Sequence, residues 1–273
     1  MAAHLLYQDF FRFLDALAEE VADPWAAYQE RYLGPNRAVL EAWWEQVLGR
    51  PRQVWVDRVR QVRPQDYGLL AMVVEEGDLA TLAREAMARC QVVLPVSLEP
   101  EIYFLVGFFS PDAFAFRVGE AWAIGIGLER LHSQHLLPVL LAHEYVHCLR
   151  RRRGVGVKTL GARMVDEGVA VEFTARVFPE RPTHEHLLMR PGQPEAMRDY
   201  ESRLWEALRP LLESEDEGLA ARVLYGQGEG GRWPSRAGSY LGWRLAAGFL
   251  ERHPERFEAE AEEILVGADL TGP

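Results

Sequence analysis

Cysteine is scarce. There are two in 273 residues, Cys90 and Cys148, and they form no CxxC or other metal-type pair. That excludes a disulfide scaffold and a thiolate zinc finger, and it fits a reduced, cytoplasmic chain. Positive charge is short as well. Lys and Arg number 30 against 41 Asp and Glu, a formal net charge of -11. Broad contact with nucleic acid needs a basic footprint, so none is expected. The most apolar run, Leu136 to Ala142, is far too short to span a bilayer, and no membrane partner is expected. The opening segment MAAHLLYQDFFRFLDALAEEV has no basic start and carries Asp9, Asp15, Glu19 and Glu20. It reads as an amphipathic helix and not as a signal peptide. Internal repeats, low-complexity linkers and the GxGxxG and GK[ST] phosphate patterns are all missing.

What remains reads as α+β and mostly helical. Leu6, Phe10, Phe13, Leu14, Leu17 and Val21 recur at helical spacing, which predicts a helix over 3–22. GPNRAVLEAWWEQVLG predicts another, with Pro35 near its first turn and Gly49 at its end. Trp43 and Trp44 within it point to packing more than to a stacking platform. DLATLAREAMARC follows with Asp78 as N-cap. EIYFLVG (101–107) and AWAIGIGL (121–128) are short and β-rich. The glycines at 125 and 127 are expected to let another backbone approach. Helices are predicted again from Pro138, from Thr159 to about Val177, over 194–213, over 216–226 and over 239–254, with a flexible loop at 226–234. The expected organisation is an N-terminal helical region, 1–95, then a core, 96–273, with a small sheet beside the helix that carries the following motif.

LAHEYVHCLR (141–150) sets two histidines and a glutamate in an apolar run. Burying such groups is costly unless something pairs with them. Residues four apart share a helix face, so His143 and His147 point the same way and can hold one Zn2+. Glu144 lies beside such a site, where it can take a proton from an attacking water. The surrounding residues are apolar on nearly every side, so the helix should be buried. Two bland readings compete: a chance HExxH, and two core histidines satisfied by backbone. The arginine run that follows, 150–153, suits a solvated helix exit, where cations complement the helix dipole.

A catalytic zinc needs a third protein ligand and an open position. Asp166, Glu167, Glu172, His184 and His186 are candidates. MVDEGVAVEF (164–173) is the best host, because Glu167 shares a helix face with Leu160, Met164 and Val171. Gly168 and Ala170 would admit a close helix neighbour. Asp166 reads as the more solvated of the acidic pair. THEH (183–186) follows two prolines and reads as loop with surface histidines. The HExxHxxGxxH pattern is absent, since residues 150 and 153 are Arg, and this favours a glutamate as third ligand.

LAHEYVHCLR, MVDEGVAVEF and GSYLGWRLAAGFLERHP together resemble a bacterial family of predicted zinc-dependent proteases of the gluzincin type. There an HExxH helix precedes a helix with E-G-x-A and, later, a G-Y/S-x-x-G stretch. The resemblance spans roughly residues 100–270. It implies a gluzincin-like metallopeptidase core, zinc as cofactor and a peptide or protein substrate. It makes His143, His147 and Glu167 ligands and Glu144 the base. The acidic residue that the class often carries four places after its glutamate ligand is Val171 here, which leaves Asp166 and Glu172 as candidates to orient a ligand histidine. Tyr240, between Gly238 and Gly242 in the family's last motif, is a candidate donor to the oxyanion. The strand at 121–128 is a candidate edge for holding an extended peptide. Other readings keep the metal and change the chemistry, to a zinc hydrolase of a non-peptide amide or small molecule, or remove it, to a non-catalytic zinc-containing binding module.

Overall fold

Leu6, Phe10, Phe13 and Leu14 lie on one face and all are buried, which fixes helix α1 (Tyr7–Ala18). The residues before it behave differently. Ala3–Leu5 is a strand, β1, because it finds a parallel partner in β2 (Glu101–Leu105), with His4 opposite Tyr103. The helix expected over 3–22 therefore starts later, and Val21 is outside the described residues. The computed structural model describes residues 2–19, 22–49, 52–96, 98–108, 111–226 and 233–267.

Packing divides the chain into two compact units, residues 1–89 with 96–148 and residues 90–95 with 149–273. In the first, α1 is followed by α2 (Pro24–Tyr28) and α3 (Arg37–Trp43), each running on into a π-helical turn, Gln29–Leu33 and Trp44–Leu48. Gly49 closes the second of these at φ 53°, a conformation that glycine adopts without strain. Next come α4 (Arg52–Arg60), α5 (Gly68–Glu75) and α6 (Leu79–Val93). Asp78 caps α6 by accepting from the Ala80 amide at 3.0 Å.

The sheet adds two more strands, β3 (Ala113–Val118) and β4 (Ala121–Gly127), in the order β1-β2-β4-β3. β4 pairs parallel to β2 and antiparallel to β3. β1 comes from before residue 95 and the other strands from after it, so the sheet draws on both regions that composition separates. The strand at 121–128 is therefore interior, not an edge: the hairpin turn after Val118 lays β3 along its open side. The edges are β1 and β3, and the Gln46 side chain closes part of β3, accepting from the Arg117 amide at 2.9 Å and donating to its carbonyl at 2.7 Å. Gly125 does not admit a backbone. A Cβ there would collide with the Trp43 indole, which is fully buried and meets Phe116 edge-on at 5.4 Å. The tryptophan pair 43–44 is core.

In the second unit, α8 (Leu160–Val177), α9 (Thr183–His186), α10 (Gln193–Arg198), α11 (Glu201–Leu208), α12 (Glu217–Tyr225), α13 (Ala237–Arg252) and α14 (Ala261–Gly267) surround a core that includes Leu160, Met164, Leu208, Val223 and Tyr240. The helix expected over 194–213 is two helices and a 3-10 turn (Arg209–Leu211). Its apolar face survives the break, since Met197, Leu204 and Leu208 are all buried. Gly168 of α8 does admit a close neighbour: a Cβ there would collide with the Gly242 backbone of α13, and a Cβ on Gly242 with the Met164 backbone. Two helices thus touch main chain to main chain. The loop expected at 226–234 lies largely outside the described residues. No described helix is long and apolar enough to cross a membrane.

Candidate metal centre

α7 (Leu137–Arg152) begins with Pro138 at its second residue, where a missing N–H costs nothing. Leu137, Val139, Leu141, Ala142, Tyr145 and Val146 are fully buried on all its sides. The thiol of Cys148 lies 3.6 Å from the Ala123 carbonyl of β4. Within this apolar setting His143, Glu144 and His147 are 5%, 7% and 3% exposed. The imidazole centroids are 4.8 Å apart with their planes at 70°, as the i, i+4 spacing on one helix face requires.

One potential ligand atom from each of the three residues lies within 4.8 Å of the others, and among the described residues this is the group able to hold a metal ion. The donor set suits zinc. Imidazole nitrogen and carboxylate oxygen are ordinary zinc ligands, and two histidines spaced for one ion leave coordination positions to be filled. Desolvation gives the same answer, because a cation offsets the cost of burying a carboxylate beside two imidazoles.

α8 starts at Thr159, whose hydroxyl caps it by accepting from the Ala162 amide at 3.2 Å. Glu167 stands on this helix in the second unit, half-buried, and its Oε1 accepts from the Tyr225 hydroxyl at 3.1 Å. Asp166 is the more buried of the acidic pair, at 6% exposure, the reverse of the expectation. The reason is Arg150. This residue is 1% exposed, and its Nε donates to Asp166 at 2.5 Å. Its Nη1 donates to the carbonyls of Phe257 at 2.7 Å and Ala259 at 2.9 Å. The arginine run is thus not a wholly solvated helix exit, since its first member is a buried anchor. Glu172 accepts from Arg176 at 3.1 Å and from the Trp243 indole at 3.2 Å.

His186 is not a surface histidine, and THEH is not a loop. The segment forms α9, and His186 is 3% exposed, with Nδ1 3.1 Å from the Thr174 hydroxyl and Nε2 3.2 Å from the Arg181 carbonyl. Burial pushes its pKa below the ordinary histidine value. With both ring nitrogens engaged, it holds α9 to α8. Tyr240 is buried, and its hydroxyl donates to Glu201 at 2.8 Å. Glu201 also accepts from Arg244 Nε at 3.1 Å. Desolvation and the Glu201 carboxylate push the phenol up to about 12. A role for Tyr240 towards substrate requires that bond to break.

Sequence reasoning passed over Tyr225, Arg150 and Glu201 as partners of site residues. Tyr225 carried one signal, as the last residue of an amphipathic helix just before Gly226. In comparisons with known proteins, no curated protein and no solved structure matches the chain. Residues 120–266 match a family model described as "Predicted Zn-dependent protease (DUF2268)". That stretch is more than half of the 273 residues and contains His143, Glu144 and His147 as well as α8, and the chain belongs to this family of predicted zinc-dependent proteases.

Proposed function

We propose that the protein is a zinc metallopeptidase of the gluzincin type. The observation that carries this reading is the buried group of His143, Glu144 and His147 on one helix. His143 and His147 would hold the ion, and Glu167 is the third protein ligand. Its half-buried carboxylate interrupts a helix face whose other members, Leu160, Met164 and Val171, are buried. Bound zinc supplies a Lewis acid that polarises the scissile carbonyl and acidifies a water.

The chain's own residues supply the rest. Glu144 accepts a proton as the water oxygen attacks the carbonyl carbon, and returns it to the amine as the C–N bond breaks. The apolar residues around Glu144 exclude bulk water, so the carboxylate acts in a low-dielectric setting where its charge counts for more. A glutamate that keeps this position beside two histidines favours catalysis over a structural site, because structural zinc takes four protein ligands and few carboxylates.

The test is metal analysis of the purified protein paired with digestion of a quenched-fluorescent peptide library. One zinc per chain is expected. Glu144→Gln should keep the metal and lose hydrolysis by about 100-fold or more. Full zinc content in a His143→Ala/His147→Ala double variant, or parental hydrolysis in Glu144→Gln, would overturn the assignment.

A further inference from the structure

Glu167 has a neighbour that the family pattern did not point to. We propose that Tyr225 is the positioning residue that fixes the Glu167 carboxylate as a metal ligand; this rests on the function proposed above. The Tyr225 hydroxyl donates to Oε1 at 3.1 Å. That bond engages one of the two carboxylate oxygens and limits how the group can turn.

The backbones at both ends of this bond are held firmly. Glu167 is followed by Gly168, the point at which α8 touches the main chain of α13. Its Cα is therefore fixed, and the freedom left is in three side-chain torsions. A hydrogen bond at the carboxylate removes much of that freedom. On the other side, α12 is capped by Asp216, which accepts from the Leu219 amide at 3.0 Å. Ala220, Val223 and Leu224 of α12 are buried in the same core as Leu160 and Met164 of α8. The helix stops at Gly226 with φ 68°. The last two carbonyls of α12 are each met by a serine: Ser239 donates to Leu224 O and Ser235 to Tyr225 O, both at 3.3 Å. Tyr225 is thus a surface residue, 43% exposed, on a backbone with little room to move.

Stability alone does not call for a tyrosine with its ring partly in water to face one particular carboxylate. Its fixed bond to Glu167 makes sense as preparation of a ligand, because groups bonded to metal ligands orient them and tune affinity. Tyr240, the tyrosine expected near the site, is spent on Glu201, and Tyr225 is the tyrosine that reaches the acidic ligand.

The test compares the parent, Tyr225→Phe, Glu167→Gln and the double variant. Each is stripped of metal and titrated with zinc against a chromophoric chelator. Tyr225→Phe should bind zinc about 10- to 100-fold more weakly, with the melting temperature of the metal-free protein unchanged. In the Glu167→Gln background the same change should have no further effect. Equal affinity in parent and Tyr225→Phe overturns the proposal, and so does a fall in the metal-free melting temperature that accounts for the loss. A parent that takes up no zinc overturns the metalloenzyme reading itself. A parent that binds zinc only as tightly as Glu167→Gln overturns Glu167 as ligand and Tyr225 with it.

Discussion

Arg150→Met should be among the most damaging single changes in the second unit. Methionine keeps an unbranched apolar stem like that of arginine and removes the guanidinium and its charge. Arg150 is 1% exposed and donates three hydrogen bonds, one to Asp166 and one each to the carbonyls of Phe257 and Ala259. Removing one member of a buried ion pair costs about 3–5 kcal/mol, because the other charge stays behind in a poorly solvated place. Each buried carbonyl deprived of its donor adds roughly 1 kcal/mol or more. Against a typical total stability of about 5–15 kcal/mol, this is a large share. The assay is urea unfolding of the metal-free protein followed by circular dichroism, which keeps zinc binding out of the comparison. A second variant separates charge from packing. Asp166→Leu combined with Arg150→Met removes both charges, so the double variant should be more stable than the sum of the two single losses predicts. A cost below about 1 kcal/mol for Arg150→Met, or strictly additive losses, would refute the claim that the pair is a buried anchor.

Gly242→Ala would place a methyl group against the Met164 backbone. Alanine's better helix propensity, about 1 kcal/mol, should not offset the forced separation of α8 from α13, so the melting temperature should fall by more than about 4 °C in a thermal scan; an increase would show that the contact is slack. Tyr240→Phe tests the alkaline limit. The folded pKa of about 12 lies above the ordinary 10, so the stability linked to this phenol is complete below pH 10 and is lost as pH rises from 10 to 12. Two pKa units amount to about 2–3 kcal/mol, and the variant should show a shallower loss of melting temperature over that window, whereas parental steepness would exclude the coupling.

The parts legible in the sequence were those set by near neighbours. The starts at Asp78 and Thr159, the stop at Gly49, and the i, i+4 pair on α7 are local, and each stands where spacing put it. Strand order was not local. β1 looks like the first turn of α1 because it leads straight into the stripe that starts at Leu6, and only pairing with a strand about a hundred residues away makes it extended. β4 looks like an edge until β3, a segment whose apolar alternation is brief, folds back along it. Periodicity also reads a face and not its continuity, which is why 194–213 seemed one helix while its buried positions span two.

The same distinction sorts the site. His143, Glu144 and His147 are one helical turn. In the second unit the pairs that matter act across the chain: Arg150 with Asp166, 16 positions apart, and Tyr225 with Glu167, 58 apart. Neither pair has a period. Arg150 was hidden by the three arginines after it, which made one buried guanidinium look like part of a solvated run. Tyr225 was hidden because an exposed tyrosine at a helix end is common, and only its distance to a carboxylate on another helix gives it meaning. Spacing on one element is written in the sequence; contacts between elements are chosen by packing, and packing becomes visible only once the helices are in place.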